Sequence, residues 1–358
     1  MRLLELRIEN LRVIRALELE LSPGWNVFIG PNGAGKTTLV EAAYALSHGR
    51  SFRPGSKDAL AGPLGDSYTL HAKIGAADGG VVGLGLARRG GRFEARIDGL
   101  NRPLGEMVRH CVVACFEPGS HALIGGASDE RRRFLDWGVF HVEHGFLHVW
   151  RRCKRALKQR NAALRQHGTV TEIDVWDEEL VLAAGELTQL RLAYFEALCP
   201  LISEGLTSLA PELGASKLKF DQGWDARASL RDVLAACRGA DLMRGTTTQG
   251  PQRADWSISF EFAHRREQLS RGHEKLCALA CILAQVRLHA ARTGEWPILG
   301  LDDLASELDP PHQQQAIGTL RSWPAQVLLT GTTTPLGLES IGATTMFHVE
   351  HGSVRALL

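Results

Sequence analysis

The stretch Trp25-Asn26-Val27-Phe28-Ile29-Gly30-Pro31-Asn32-Gly33-Ala34-Gly35-Lys36-Thr37-Thr38 decides how this chain folds. It opens as a short, mostly apolar run, the pattern of a strand buried on both faces. A glycine-rich loop, Gly30 to Gly35, follows. A helix is expected from about Lys36 to Leu46, with Leu39, Val40, Ala43 and Leu46 on one face. Strand, glycine loop and helix in that order place convergent backbone N–H groups at a helix N-terminus. That is a site for an anion.

The loop fits G-x-x-x-x-G-K-[ST], and each residue type has a task. Gly30, Pro31, Asn32, Gly33, Ala34 and Gly35 shape a cradle for phosphate. Lys36 can reach the β and γ phosphates of a nucleotide. The Thr37 hydroxyl can ligate Mg²⁺, and Thr38 can bond the α phosphate. A second element completes the chemistry. Ile298-Leu299-Gly300-Leu301-Asp302-Asp303 is an apolar strand ending in two carboxylates. Asp302 is placed to hold the metal through its water shell, and Asp303 to orient or deprotonate the attacking water. A third is Leu269-Ser270-Arg271-Gly272-His273-Glu274-Lys275, opening a long helix. Ser270 reads as its N-cap and Gly272 lies in the first turn, either as an ordinary cap or as a second phosphate site used in trans.

The rest of the chain frames these motifs. Short β-rich runs at 67–74, 81–87 and 92–97, split by Gly79-Gly80 and Gly90-Gly91, read as an antiparallel meander. Residues 111–116 read as a buried strand. From about 129 to 210 the pattern is helical. Residues 131–165 hold ten Lys/Arg and two acids, whereas residues 172–212 hold nine acids and one Arg. The two stretches, joined near His167-Gly168, read either as a self-attracting helical hairpin or as a basic surface for phosphates. Strand–helix alternation returns in the last third. The expected fold class is therefore α/β: one nucleotide-binding core from residues 1–125 and 246–358, carrying a β meander, with an inserted helical lobe at 126–245.

Composition bounds the alternatives. The 358 residues are 44% hydrophobic and 23% charged, as in ordinary globular proteins. No run is long and apolar enough for a membrane helix, and the N-terminus lacks a secretory signal, so a cytoplasmic location is expected. Seven scattered cysteines read as reduced thiols. Lys plus Arg is 41 against 40 acids, so any nucleic-acid site must be local. Of the 41, 33 are Arg, which suits bidentate phosphate contacts as well as it suits a GC-rich genome.

In order and spacing, these pieces resemble the ABC-type ATPases: LSRGHEK resembles their signature, and Asp302-Asp303-Leu304-Ala305-Ser306-Glu307-Leu308-Asp309 resembles Walker B plus the D-loop. More narrowly, the chain resembles the RecF family of bacterial recombination proteins, relatives of the Rad50 and SMC heads. Four further motifs carry this: Asn10-Leu11-Arg12; Gly49-Arg50-Ser51-Phe52-Arg53; Arg132-Arg133-Phe134-Leu135-Asp136; and Thr248-Gln249-Gly250-Pro251-Gln252-Arg253-Ala254-Asp255. Gln252 stands where the family usually has His, and Phe116-Glu117-Pro118-Gly119-Ser120 departs from the usual F-x-P-E-D-L. No His follows the strand at Val327–Thr330, leaving Thr332 as the nearest polar candidate.

The resemblance implies an ATP-dependent homodimer with two ATP molecules sandwiched between subunits, each touched by Ser270 and Gly272 from across the interface, and a nucleotide role for Arg12. It implies slow, DNA-dependent ATP hydrolysis and clamping of duplex DNA near single-strand gaps. It also implies work with RecO and RecR that helps RecA load. Arg50, Arg53, Arg88, Arg89 and Arg92 are candidate DNA contacts, with the run Arg151, Arg152, Lys154 and Arg155 as a second set. A P-loop kinase or GTPase needs no signature or D-loop. A transporter subunit needs a switch histidine, and a complete SMC or Rad50 protein needs hundreds of heptad residues. A dead scaffold sits poorly with an intact Lys36, Thr37, Asp302 and Asp303. The strongest rival is another compact SMC-like ATPase that clamps a different DNA structure or a protein.

Overall fold

The computed structural model describes residues 1–53, 60–262 and 268–357. The strands are β1 (Arg2–Leu11), β2 (Ile14–Glu20), β3 (Trp25–Ile29), β4 (Tyr68–Gly75), β5 (Val81–Arg89), β6 (Arg92–Ile97), β7 (Leu100–Asn101), β8 (Val113–Phe116), β9 (Ser216–Asp221), β10 (Asp255–Phe260), β11 (Ile298–Leu301), β12 (Val327–Gly331), β13 (Thr344–Glu350) and β14 (Ser353–Leu357). The helices are α1 (Lys36–His48), α2 (Leu104–Met107), α3 (Ala122–Gly125), α4 (Ser128–Val142), α5 (Phe146–Arg165), α6 (Val170–Leu209), α7 (Leu230–Arg244), α8 (Arg271–Thr293), α9 (Leu304–Glu307) and α10 (Pro310–Leu320).

Two compact units divide the chain. The first holds Met1–His121, Ser208–Pro211 and Ser270–Leu358; the second holds Ala122–Thr207 and Glu212–Leu269. In the first unit, a six-stranded sheet runs β14-β13-β3-β12-β11-β8. Its central pairings, β13 with β3, β3 with β12, β12 with β11 and β11 with β8, are parallel, and only the β14 edge is antiparallel. A parallel strand is covered on both faces, which is why Ile298–Leu301 is buried throughout and reads as an unbroken apolar run. The second sheet, β2-β1-β4-β5-β6-β7, is an antiparallel meander. α8 is buried all round from Leu276 to Val286, the signature of a central rather than a surface helix.

The second unit is mainly helical. α5 and α6 form a hairpin, the first of the two readings of their charge, with His167 at the turn in the left-handed region. Two pieces within it escaped the sequence reading: β9, and α7 with its Ser229 cap. β9 pairs antiparallel with β10 from Asp221↔Asp255 to Ser216↔Phe260. That pairing draws β10 into the second unit, although its sequence position suggested the returning nucleotide core. All seven cysteines are unbridged, and Cys111, Cys153, Cys277 and Cys281 are buried.

Candidate nucleotide site

Backbone geometry makes the phosphate loop a glycine requirement rather than a preference. A Cβ on Gly30 would lie 2.0 Å from the Val349 carbonyl oxygen of β13, so no side chain fits there. Gly35 has φ +112, a left-handed conformation that frees the chain to turn into α1. The first amides of an α-helix lack intrahelical acceptors, so the N-terminus of α1 is suited to an anion. Lys36 is buried, and its Nζ donates to the carbonyls of Gly30 (2.8 Å) and Pro31 (2.9 Å). Burial lowers its pKa, an effect opposed by the nearby charges of Asp303 and Asp302.

Parallel pairing brings the carboxylates to the same end of the sheet. Leu301 lies opposite both Phe116 and Leu329, so Asp302 emerges between the ends of β8 and β12. Asp302 is 1% exposed. Thr330 donates to it at 2.6 Å, and Thr37 also hydrogen-bonds it. Burial raises its pKa, while those two bonds and the Arg53 charge work the other way. Asp303 sits at φ 57, in the left-handed region, an uncommon conformation for a non-glycine residue. The turn is held by its N–H, which donates to Thr330, and by Ser306, whose hydroxyl donates to Asp303 Oδ1 at 2.9 Å. The tip of the strand thus presents one buried carboxylate beside Thr37 and a second one step further along.

Three features of the site were not visible in sequence. Thr330, rather than the exposed Thr332, is the polar group that β12 places on Asp302. Glu117, at the end of β8, has its pKa pushed up to about 7, chiefly by burial and further by Asp302 and Glu307, against a hydrogen bond from the Gly119 N–H and the His121 charge. Lys275 of α8 pairs with Glu307 of the D-loop at 2.8 Å, tying the signature helix to the segment after Asp303.

Arg12 occupies the two-residue turn between β1 and β2. Its guanidinium binds the fully buried Glu41 of α1 through both oxygens, at 3.1 and 2.8 Å. Val13 beside it abuts the loop, since a Cβ on Gly35 would meet Val13 Cγ2 at 3.1 Å. Asn10 pins the chain after residue 60, donating to Gly65 and Ser67 and accepting from the Leu64 N–H. Ser51 also bonds Glu41. The Asn10-Leu11-Arg12 and GRSFR motifs therefore meet at one buried carboxylate behind the phosphate loop.

Ser270 is the N-cap of α8, with its hydroxyl accepting from the His273 N–H at 3.2 Å; it is exposed. A Cβ on Gly272 would meet the Ser270 hydroxyl at 3.7 Å. The candidate DNA arginines separate. Arg50, Arg53, Arg89 and Arg92 are exposed. Arg53 lies close enough to Asp302 to act on its charge, and Arg50 bonds the phenol of half-buried Tyr44. Arg88 is withdrawn as a DNA contact: it is 4% exposed, with its guanidinium over the Phe93 ring at 5.4 Å. Adjacent strand residues face opposite sides, so Arg89 points out where Arg88 points in.

In the second unit the remaining family motifs meet. Arg131 binds Asp255 through both carboxylate oxygens at 2.7 and 3.0 Å, Arg132 donates to the Ala254 carbonyl, and Arg191 joins Asp136 to the Pro251 carbonyl. Gln252 donates to the carbonyls of Thr247 and Gln249. The basic run also divides: Arg152 pairs with Glu179 and Glu186 of α6, as the hairpin reading requires.

The chain matches the RecF/RecN/SMC N terminal domain family over residues 2–354. It is 45% identical to the DNA replication and repair protein RecF of Xanthomonas euvesicatoria pv. vesicatoria (strain 85-10), over 99% of this chain and 98% of that protein. Among solved structures, it resembles the recombination mediator protein RecF bound to ATP in the RecFOR pathway. That similarity has a TM-score of 0.90 and 23% identity, and it covers 99% of this chain and 97% of the other. An Smc head bound to the C-winged helix domain of ScpA superposes with a TM-score of 0.61 at 14% identity, over 100% of this chain and 97% of the other.

Proposed function

This chain belongs to the RecF family, and from that premise we propose that it is an ATP-switched DNA-binding protein of replication and recombinational repair. ATP binds in the cradle of residues 30–38. The exposed Ser270 cap and Gly272 of a second subunit close over the γ-phosphate, so that nucleotide joins two copies. The dimer clamps duplex DNA at single-strand gaps, where it works with RecO and RecR to help RecA load. Slow hydrolysis, stimulated by DNA, releases the clamp.

One observation carries this reading: the buried Asp302 carboxylate, bonded by Thr37 and Thr330 at the mouth of the loop that holds Lys36. Hydroxyl and carboxylate oxygens suit a magnesium ion arriving with the nucleotide, a hard cation that takes few protein ligands beside phosphate oxygens. Thr37 and Asp302 would hold it, and it would supply charge neutralisation on the phosphates. Lys36, already turned toward the loop carbonyls, exchanges these neutral acceptors for phosphate oxygens, a stronger charge-assisted pairing. Asp303, fixed by Ser306 and by the turn at Thr330, orients or deprotonates the attacking water. Arg12, braced by Glu41, meets the nucleotide from the β1–β2 turn.

The test compares binding to gapped duplex, blunt duplex and single strand, with and without ATP and Mg²⁺, at two salt concentrations. Tighter, salt-sensitive binding to the gapped duplex that requires ATP is expected. Binding indifferent to ATP, or a preference for single strand, would contradict the reading.

A further inference from the structure

α5 carries seven cations and no acid in its twenty residues. Hairpin pairing explains only part of that charge. Arg152 is taken by Glu179 and Glu186. Arg160, fully buried, is taken by Asp177 and Asp241 and by the Thr247 hydroxyl. The acidic helix spends its other carboxylates elsewhere: Asp174 and Asp177 pair with Arg238 of α7, and Glu178 pairs with Arg231. At the C-terminal end, Arg165 complements the helix dipole.

Four cations remain: Arg151, Lys154, Arg155 and Lys158. They stand at i, i+3, i+4 and i+7, which is one helical face. All four are exposed, and none has an acidic partner among the described residues. Lys154 lies over the Trp150 ring at 5.1 Å, which steadies its position. Like charges three and four apart repel and weaken a helix. An ordinary solvated face mixes signs; this one repeats a single sign, with no ion pair to offset it among the described residues. The neighbouring cavity of about 300 Å³ between α4, α5 and α6 does not extend the set, because the arginines on its wall are already held, Arg132 and Arg133 by Asp129 and Glu130 of their own helix and Arg191 by Asp136.

We propose that the Arg151–Lys154–Arg155–Lys158 face of α5 is a docking surface for the phosphate backbone of duplex DNA. At 1.5 Å of rise per residue the face is about 10 Å long. One strand of a duplex presents a phosphate about every 3.4 Å of axis, so the face spans about three phosphates. Bound phosphates turn four repulsive pairs into four attractive contacts, and the contact reads charge rather than base sequence. This gives the DNA-binding role a defined surface in the second unit, and it rests on the function proposed above.

The test uses the full chain with ATP and Mg²⁺ and a fluorescent gapped duplex, with affinity measured from about 50 to 200 mM salt. The variant R151Q/K154Q/R155Q/K158Q should bind at least about tenfold more weakly at low salt, with a slope of log affinity against log salt reduced by about two to three. The charge-keeping variant R151K/K154R/R155K/K158R should retain the wild-type slope. Melting temperature should hold or rise in the glutamine variant, because a repulsion is removed. Arg152→Gln should do the reverse, lowering the melting temperature and leaving the slope intact. A wild-type slope in the glutamine variant, with wild-type protein binding DNA normally, would overturn this surface alone. Wild-type protein that fails to bind DNA with ATP would overturn the functional reading and this surface together.

Discussion

Both units bury charge, but they balance it differently. In the second unit, each buried arginine has its counter-charge in the chain. Arg160 meets two carboxylates, Arg131 binds Asp255 and Arg191 binds Asp136. In the first unit, buried Glu41 is closed in the same way by Arg12, but at the nucleotide site buried Lys36 donates to carbonyls and Asp302 accepts from neutral threonine hydroxyls. Carboxylates and lysine stand near one another without forming an ion pair. A buried charge closed by its opposite is structural; a buried charge left to neutral partners is set for a ligand that brings its own charge. On the surface of α5, Arg152 is paired with acids of α6 while the exposed Arg151 is not.

The contrast predicts effects on different observables. In the nucleotide site, Asp303→Asn should lower ATP turnover by a factor of about 10²–10⁴ while ATP affinity and melting temperature stay near wild type. Normal turnover in steady-state assays would remove Asp303 from the chemistry. In the lobe, Arg160→Ala leaves buried Asp241 without a cation and Asp177 with Arg238 alone, and should destabilise the protein by about 3–5 kcal/mol in denaturant unfolding. A change below about 1 kcal/mol would mean that this network does not hold the lobe together.

Lys36→Met removes a charge-assisted phosphate contact worth about 1.5–3 kcal/mol, so calorimetric ATP affinity should fall by about ten- to a hundredfold. Stability should fall little, since the lysine forms no direct ion pair and feels Asp302 and Asp303 only at a distance; a large loss of stability would erase the contrast between the units.

The smallest effect concerns Glu117. Its folded pKa, about 7, lies above its ordinary 4.5. The folded state therefore favours the protonated carboxyl. Its contribution to stability is complete below pH 4.5 and is lost as pH rises through 7. Without nucleotide, Glu117→Gln should be more stable than wild type by about 1–3 kcal/mol at pH 8 and nearly equal to it at pH 4.5. Identical differences at both pH values in thermal melts would show that Glu117 does not titrate in this range.

Much of the first unit was legible because its motifs are contiguous. A strand, a glycine loop and a helix over residues 25–48 fix their own geometry, and Ser270 falls where a cap belongs. Thr330 and Glu117 were not legible, because they reach the site only through strand order. β12 and β8 flank β11, and no local pattern says so. Likewise β9 alternates Leu218 and Phe220 with Lys217 and Lys219, but a strand of six residues has no meaning until β10 pairs with it. Arg88 is a different failure. Leu84, Leu86 and Arg88 share one side of β5 by simple alternation, and that signal pointed inward.

The central claim is that ATP joins two copies through Ser270. Light scattering with ATP and Mg²⁺, applied to wild type and Ser270→Arg, tests it most directly. Adding ATP to wild type should double the mass. Ser270→Arg should stay a monomer that still binds ATP, because Lys36 and Thr37 are untouched while a bulky cation blocks the partner's γ-phosphate. Equal ATP-driven dimerisation of both proteins would contradict the claim and leave Ser270 as a helix cap alone.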